Sequence, residues 1–234
     1  MRMLISCVVG AALLSAAPAT PAGARDVDRR AADQGTAPAV PAATAATHAH
    51  EAPADDPDSG AELLDTPAPA WTFARWIGPP LSLSGLRGKV VLLRWWNEGC
   101  HFCAATLPEL EALRRQHAEE GLVVIGVFHP KPPHEVSDHH ILKVAKQLGF
   151  SGPIAVDRDW TTLGRYWLDG HPERNWTSVS FLIDRDGVIR WVHGGGEYHR
   201  SDDPRHARCV VQYHELEQAL ATVLRERPAR PAMP

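Results

Sequence analysis

Two cysteines three apart, Cys100 and Cys103, stand just behind an apolar run, Val90-Val91-Leu92-Leu93-Arg94-Trp95-Trp96. A helical pattern carrying Leu107, Leu110 and Leu113 follows them. A Cys-x-x-Cys that opens a helix after a buried strand is the arrangement of a reactive dithiol. The first sulfur then lies at the helix N-terminus, where N–H groups without intrahelical partners and the positive end of the macrodipole favour the thiolate. The thiolate is the form that attacks disulfides. An inert disulfide or half of a zinc site are the other uses of such a pair. Zinc would need a second Cys-x-x-Cys or a His-x-x-His at ligand spacing, and the sequence offers neither.

The elements that must hold this pair follow from the apolar pattern. Residues 89–96 and 122–128 read as strands covered on both faces. Residues 71–77 form a candidate first strand. A helix is expected from about 100 to 119, ending before Gly121 and kinked by Pro108. A second spans about 137–148, with Ile141, Leu142, Ala145 and Leu148 on one stripe. Residues 154–156 read as a short strand and 159–168 as helical. Two strands, 179–183 and 188–192, flank Asp184-Arg185-Asp186-Gly187, a hairpin signal. A last helix, about 206–226, presents Tyr213, Leu216, Leu220, Val223 and Leu224 on one face.

This order predicts an α/β sandwich with helices on both faces. Its central mixed sheet has parallel strands and a C-terminal antiparallel hairpin. The two parallel strands end on the same side, where sites in such sheets lie. The loop 129–137 is therefore expected beside Cys100. The strand 179–183 begins on that side, which brings Thr177 and Ser178 close. Its hairpin partner ends there, which puts Gly194-Gly195-Gly196 and Glu197 at the rim. Trp95 and Trp96 point to opposite faces of their strand, one expected in the core and Trp96 along the site wall.

The ends of the chain read differently. Arg2, the apolar stretch Leu4 to Leu14 and Ala22-Gly23-Ala24 fit a cleavable export signal with cleavage after Ala24. Cys7 falls inside that signal. Residues 25–60 are rich in Ala and Pro and lack aromatics, and read as a disordered linker. One domain, 61–227, and a loose tail from 228 complete the chain. All eight Trp lie in that domain, consistent with a large core. The formal net charge of −4 and the lack of a basic stripe give no reason to expect nucleic acid.

These features resemble the thioredoxin fold, in particular the TlpA- and ResA-like exported thiol–disulfide oxidoreductases of the redoxin group. The matching stretches are Gly88 to Leu93 leading into Trp95-Trp96, the Cys-x-x-Cys, Leu107-Pro108-Glu109-Leu110, and Phe181-Leu182-Ile183-Asp184-Arg185-Asp186-Gly187. The resemblance covers roughly residues 65–225. It implies that Cys100 is the exposed attacking thiol, that Cys103 resolves the mixed disulfide, and that no cofactor takes part. Protein thiols and disulfides are the implied partners, served by a monomer without a membrane-spanning segment in the mature chain.

The departures from that family are specific. Gly99 stands where a Trp usually precedes the first Cys. Ser178, after Thr177, stands where a cis-proline usually faces the dithiol, and a trans bond is expected because a cis bond before a non-proline is costly. Arg94 replaces the usual buried acid or Asn, and Thr106 replaces a Glu found in ResA-like proteins. A cation at Arg94 favours the thiolate and so a more oxidising couple. Glu98 is the nearest carboxylate in sequence, and His101 and Phe102 fill the space between the cysteines.

Two other readings compete. A metal-handling module for copper or zinc would use the thiols as ligands with His129 or His134, from a chain holding 13 His. A peroxidase would need a Pro-x-x-x-Thr-x-x-Cys lead-in, and Trp95-Trp96-Asn97-Glu98-Gly99 stands there instead. Cys209 has no partner evident in sequence and reads as a small buried hydrophobe, a third redox thiol or a dimer link.

Overall fold

A computed structural model describes residues 59–226; the stretches read from sequence as an export signal, most of the linker and the tail lie outside the described residues. Packing begins at Gly60, a buried residue at φ 62° whose Cα faces Val192 and Trp167 so closely that a Cβ would stand 2.6 Å from Val192 Cγ1.

Six strands form one sheet in the order β1-β4-β3-β2-β5-β6. They are β1 (Arg75–Ile77), β2 (Val90–Trp96), β3 (Leu122–Phe128), β4 (Ile154–Val156), β5 (Ser180–Ile183) and β6 (Ile189–His193). β2, β3 and β4 run parallel, and β1, β5 and β6 pair antiparallel with their neighbours. All seven residues of β2 are buried, as a continuous apolar run in a central strand requires. The first strand is shorter than its sequence pattern, because only Arg75–Ile77 reaches β4.

The helices are α1 (His101–Gln116), α2 (Asp138–Gln147), α3 (Thr161–Leu163) and α4 (Ala207–Arg225); α3 runs on as a π turn through Gly164–Leu168. Alternation along β2 splits the core. Val90, Leu92 and Trp96 pack under α1, α2 and α4, together with Cys103, Leu107, Ile141, Tyr213 and Leu216. Val91, Leu93 and Trp95 pack on the other face against Leu163, Tyr166, Trp167 and Phe181. Both tryptophans are therefore fully enclosed. Trp96, expected along the site wall, stands edge-on to Phe128 (5.0 Å between ring centres) in the core. Leu142 also departs from its expected stripe. Ile141 and Ala145 are buried in α2, whereas Leu142 is about half exposed.

The hairpin turn is built by Asp184, whose Oδ1 accepts the N–H groups of Asp186 and Val188, both at 2.9 Å. Gly187 takes φ 77°, and a Cβ there would meet the Arg87 guanidinium at 2.6 Å, so this turn position needs glycine. From the same turn Arg185 donates to the carbonyls of Gly88, Glu120, Leu224 and Glu226.

Candidate active site

Asn97 shapes the turn out of β2. Its side chain accepts from the Gly99 N–H (3.1 Å) and its carbonyl from that of Cys100 (3.4 Å). Cys100 is the N-cap of α1. Its backbone is extended (φ −90°, ψ 100°) and its Sγ accepts the Cys103 N–H at 3.2 Å. A sulfur thus takes the place that Ser or Asp usually fills at a helix start. The macrodipole and this N–H both favour negative charge on that sulfur.

Cys100 and Cys103 form a disulfide with their Cα atoms 5.3 Å apart. Cys103 is wholly buried, whereas Cys100 is only partly so. Attack from solvent can therefore reach one sulfur of the pair. Ser178 faces both: its Oγ lies 3.2 Å from Cys100 Sγ and 3.5 Å from Cys103 Sγ. The Thr177–Ser178 peptide is trans, and Thr177 is buried beside it.

Around Cys100 lies a shallow cleft of about 210 Å³, bordered by Gly99, His101, Phe102, Lys131, Trp176 and Ser178 among others. Lys131 is what the loop 129–137 contributes to it. Gly99 and His101 are exposed. Phe102 stacks edge-on with Trp176 at 5.7 Å, and Trp176 is 43% exposed. Gly195 (φ +139°) lies against Trp176, and a Cβ there would stand 2.3 Å from that residue's Cβ. Sequence reasoning passed over Trp176; its place two residues before Ser178 was the available signal.

Arg94 is fully buried. Its Nη1 donates to Ser180 Oγ (3.3 Å) and its Nη2 to the Gly196 carbonyl (2.7 Å), while Nε meets no partner. The guanidinium lies 5.4 Å from the centre of the Tyr198 ring, and the Tyr198 hydroxyl is 2.8 Å from Ser180 Oγ. Burial works against the charge on Arg94, and Tyr198 works for it. This cation pins the glycine run to the sheet beneath the rim. Near it, burial and the charge of Arg94 push His193 down to about 3.

Glu98 is exposed and pairs with His140 on α2. Thr106 is buried, and its hydroxyl accepts the Tyr198 N–H at 3.2 Å. His129 is buried, with its Nδ1 3.0 Å from the Trp96 carbonyl. Burial drives its pKa to about 3, so it is neutral. His134 is exposed, with Nδ1 2.8 Å from the Pro132 carbonyl. Neither histidine borders the cleft at Cys100.

Cys209 is half-buried in the first turn of α4, beside Glu197 and His206. Burial and the Glu197 carboxylate push its thiol pKa up, which disfavours a third reactive thiolate.

Residues 64–192 match the AhpC/TSA family. Protein DipZ of Mycobacterium bovis is 35% identical over 120 residues, 51% of this chain and 16% of that protein. Thiol-disulfide oxidoreductase ResA of Bacillus anthracis is 27% identical over 122 residues, 52% of this chain and 64% of that one. The matched region thus spans less than two-thirds of either relative. Among solved structures, a thiol-disulfide isomerase from Corynebacterium glutamicum superposes with a TM-score of 0.51 at 26% identity, over 68% of this chain and 97% of that one. A thiol:disulfide interchange protein of the thioredoxin family from Chlorobium tepidum gives 0.50 at 20%, again over 68% and 97%. The sheet order and the helix-capping Cys-x-x-Cys are those of a thioredoxin-like fold.

Proposed function

This chain belongs to the AhpC/TSA family, and from that membership we propose that it is an exported thiol–disulfide oxidoreductase acting on protein substrates through Cys100 and Cys103. One observation carries the reading: a Cys-x-x-Cys disulfide at a helix N-terminus with a single sulfur accessible and a hydroxyl facing both sulfurs. Export is supported by the sequence of residues 1–24.

In the reduced protein the Cys100 thiolate attacks one sulfur of a substrate disulfide. A mixed disulfide forms and the first substrate thiolate leaves. Cys103 then attacks Cys100 Sγ, the second substrate thiolate leaves, and two electrons have passed to the substrate. In the oxidising direction a substrate thiolate attacks Cys100 Sγ, expels Cys103 as thiolate, and the same steps run backward. The Ser178 hydroxyl is placed to donate to whichever sulfur carries the charge. Phe102 and Trp176 offer an apolar surface for the substrate chain beside the reacting sulfur.

The reading is tested by equilibrating the full chain with glutathione and dithiothreitol buffers and counting free thiols. A defined two-electron transition that disappears in Cys100→Ser is expected. Its midpoint separates a reductant, near the thioredoxin value of about −270 mV, from an oxidant, nearer −120 mV. The buried Arg94 favours the oxidant side. Absence of any transition refutes the proposal.

A further inference from the structure

Apart from the disulfide, four groups of metal-ligating chemistry meet where the chain leaves β6 and enters α4. Glu197 and His199 come from the loop after the glycine run, His206 from the turn Pro204–His206, and Cys209 from the first turn of α4. One ligand atom from each lies within 4.8 Å of all the others. Glu197 Oε1 is 3.3 Å from His206 Nδ1, 3.6 Å from Cys209 Sγ and 3.8 Å from His199 Nε2, and Cys209 Sγ is 3.8 Å from His206 Nδ1. Zinc bonds of about 2.0–2.3 Å in a tetrahedron place ligands about 3.3–3.8 Å apart along each edge. Four of the six edges fall in that interval, and the two from His199 to His206 and Cys209 are no longer than 4.8 Å.

The hydrogen bonding points the same way. His199 Nδ1 lies 3.0 Å from the Arg200 carbonyl, which can only accept, so Nδ1 carries the proton and Nε2 bears the lone pair. That Nε2 is buried and has no hydrogen-bond partner. The Glu197 carboxylate, with Oε1 3.8 Å away, can only accept and so does not satisfy it. A cation among the four atoms satisfies it. Two imidazoles, one thiolate and one carboxylate in tetrahedral array suit zinc among the common divalent ions.

We infer that Glu197, His199, His206 and Cys209 form a closed, four-ligand site for one zinc ion that ties the loop after β6 to the start of α4. Binding exchanges the thiol proton of Cys209 for the metal, with no change of oxidation state. All four positions come from protein, so the site is structural and not hydrolytic. The flanking contacts show what it would brace. Gly196 receives Arg94 through its carbonyl, and Tyr198 is held by Thr106 through its N–H and by Ser180 through its hydroxyl. The inference stands apart from the redox reading, since neither Cys100 nor Cys103 is a ligand.

The test titrates the full chain, with Cys100 and Cys103 kept as the disulfide, with zinc against a chromophoric chelator, and with cobalt as a spectroscopic substitute. The expected result is one equivalent per chain and tetrahedral cobalt bands with a thiolate charge-transfer band. Cys209→Ser removes that band, and His206→Ala and the near-isosteric Glu197→Gln each weaken zinc binding by at least about tenfold. Circular dichroism of the metal-free variants distinguishes ligand loss from misfolding, and Glu197→Gln supplies the reading if a bulkier change unfolds α4. No binding at micromolar zinc overturns the inference, as does binding that all three variants retain, or binding seen only once the disulfide is reduced.

Discussion

The Ser178 hydroxyl stands 3.2 Å from Cys100 Sγ and 3.5 Å from Cys103 Sγ, so one side chain ahead of β5 serves both redox sulfurs. A hydrogen bond to a charged group contributes about 1.5–3 kcal/mol, and about 1.4 kcal/mol corresponds to one pKa unit. Ser178→Ala is expected to raise the Cys100 pKa by about one and to slow its alkylation below that pKa by about tenfold. Peptide-resolved alkylation rates against pH in the reduced protein check this. An unchanged profile would show that the hydroxyl merely fills space.

The accessibility difference between the cysteines predicts different failures. Cys103→Ser leaves an attacking thiol without a resolving one, so mixed disulfides through Cys100 should accumulate on non-reducing gels. Cys100→Ser leaves only the buried thiol of the pair, Cys103, and should form none through it. Equal trapping by both variants would contradict the assigned order of attack.

Trp176 is 43% exposed yet held edge-on by Phe102 and backed by Gly195. Trp176→Ala should raise KM for a disulfide-bonded protein several-fold and leave the rate with a small aliphatic disulfide unaltered. Steady-state kinetics on the two substrates separate docking from chemistry.

Arg94 is a buried cation in the strand that delivers Cys100. Arg94→Met removes that charge and should make the couple more reducing by tens of millivolts, where about 30 mV corresponds to about 1.4 kcal/mol. Equilibration with glutathione measures the shift. A potential that stays put would assign Arg94 to bracing Gly196 alone.

His129 and His193 are both buried neutral, with pKa values pushed to about 3, against about 6.5 in an unfolded chain. Above pH 6.5 neither state binds the proton. Below it the unfolded chain does and the folded one does not, so stability is full above 6.5 and is lost as pH falls toward 3. Each group contributes a limiting slope of about 1.4 kcal/mol per pH unit. His129→Gln should remove about half of their joint slope in urea unfolding between pH 6.5 and 5.

The sequence exposed the site further than it exposed the rim. The two apolar runs defined parallel β2 and β3, and the Asp184–Gly187 turn set the hairpin. Strand direction places Ser178 beside Cys100, as the structure has it, whereas the glycine run lies against Trp176 and Arg94 and does not border the cleft at Cys100. Period-2 alternation assigns opposite faces to Trp95 and Trp96, but it does not reveal how each face is covered. Helices roof one side, and the segment before β2 with α3 roofs the other, so Trp96 is core. β1 escaped accurate reading because its length depends on how far β4 extends. The cluster at Cys209 escaped because Glu197 and Cys209 meet only when the loop folds back on α4; His206-x-x-Cys209, one helical turn apart, was the trace it left in the sequence.

Arg185 gives the molecule an uneven stiffness. Its guanidinium gathers carbonyls from the entrance to β2, the end of the α1–β3 connection and the last turn of α4. All of these lie at the end of the sheet where β2 begins, remote from the sulfurs at the end where it finishes. That pole is cross-braced by one side chain, whereas the opposite pole carries the loops around 97–99, 129–137, 175–178 and 194–200. Shape change between disulfide and dithiol is thereby expected in those loops, with the strand register at the braced pole unaltered.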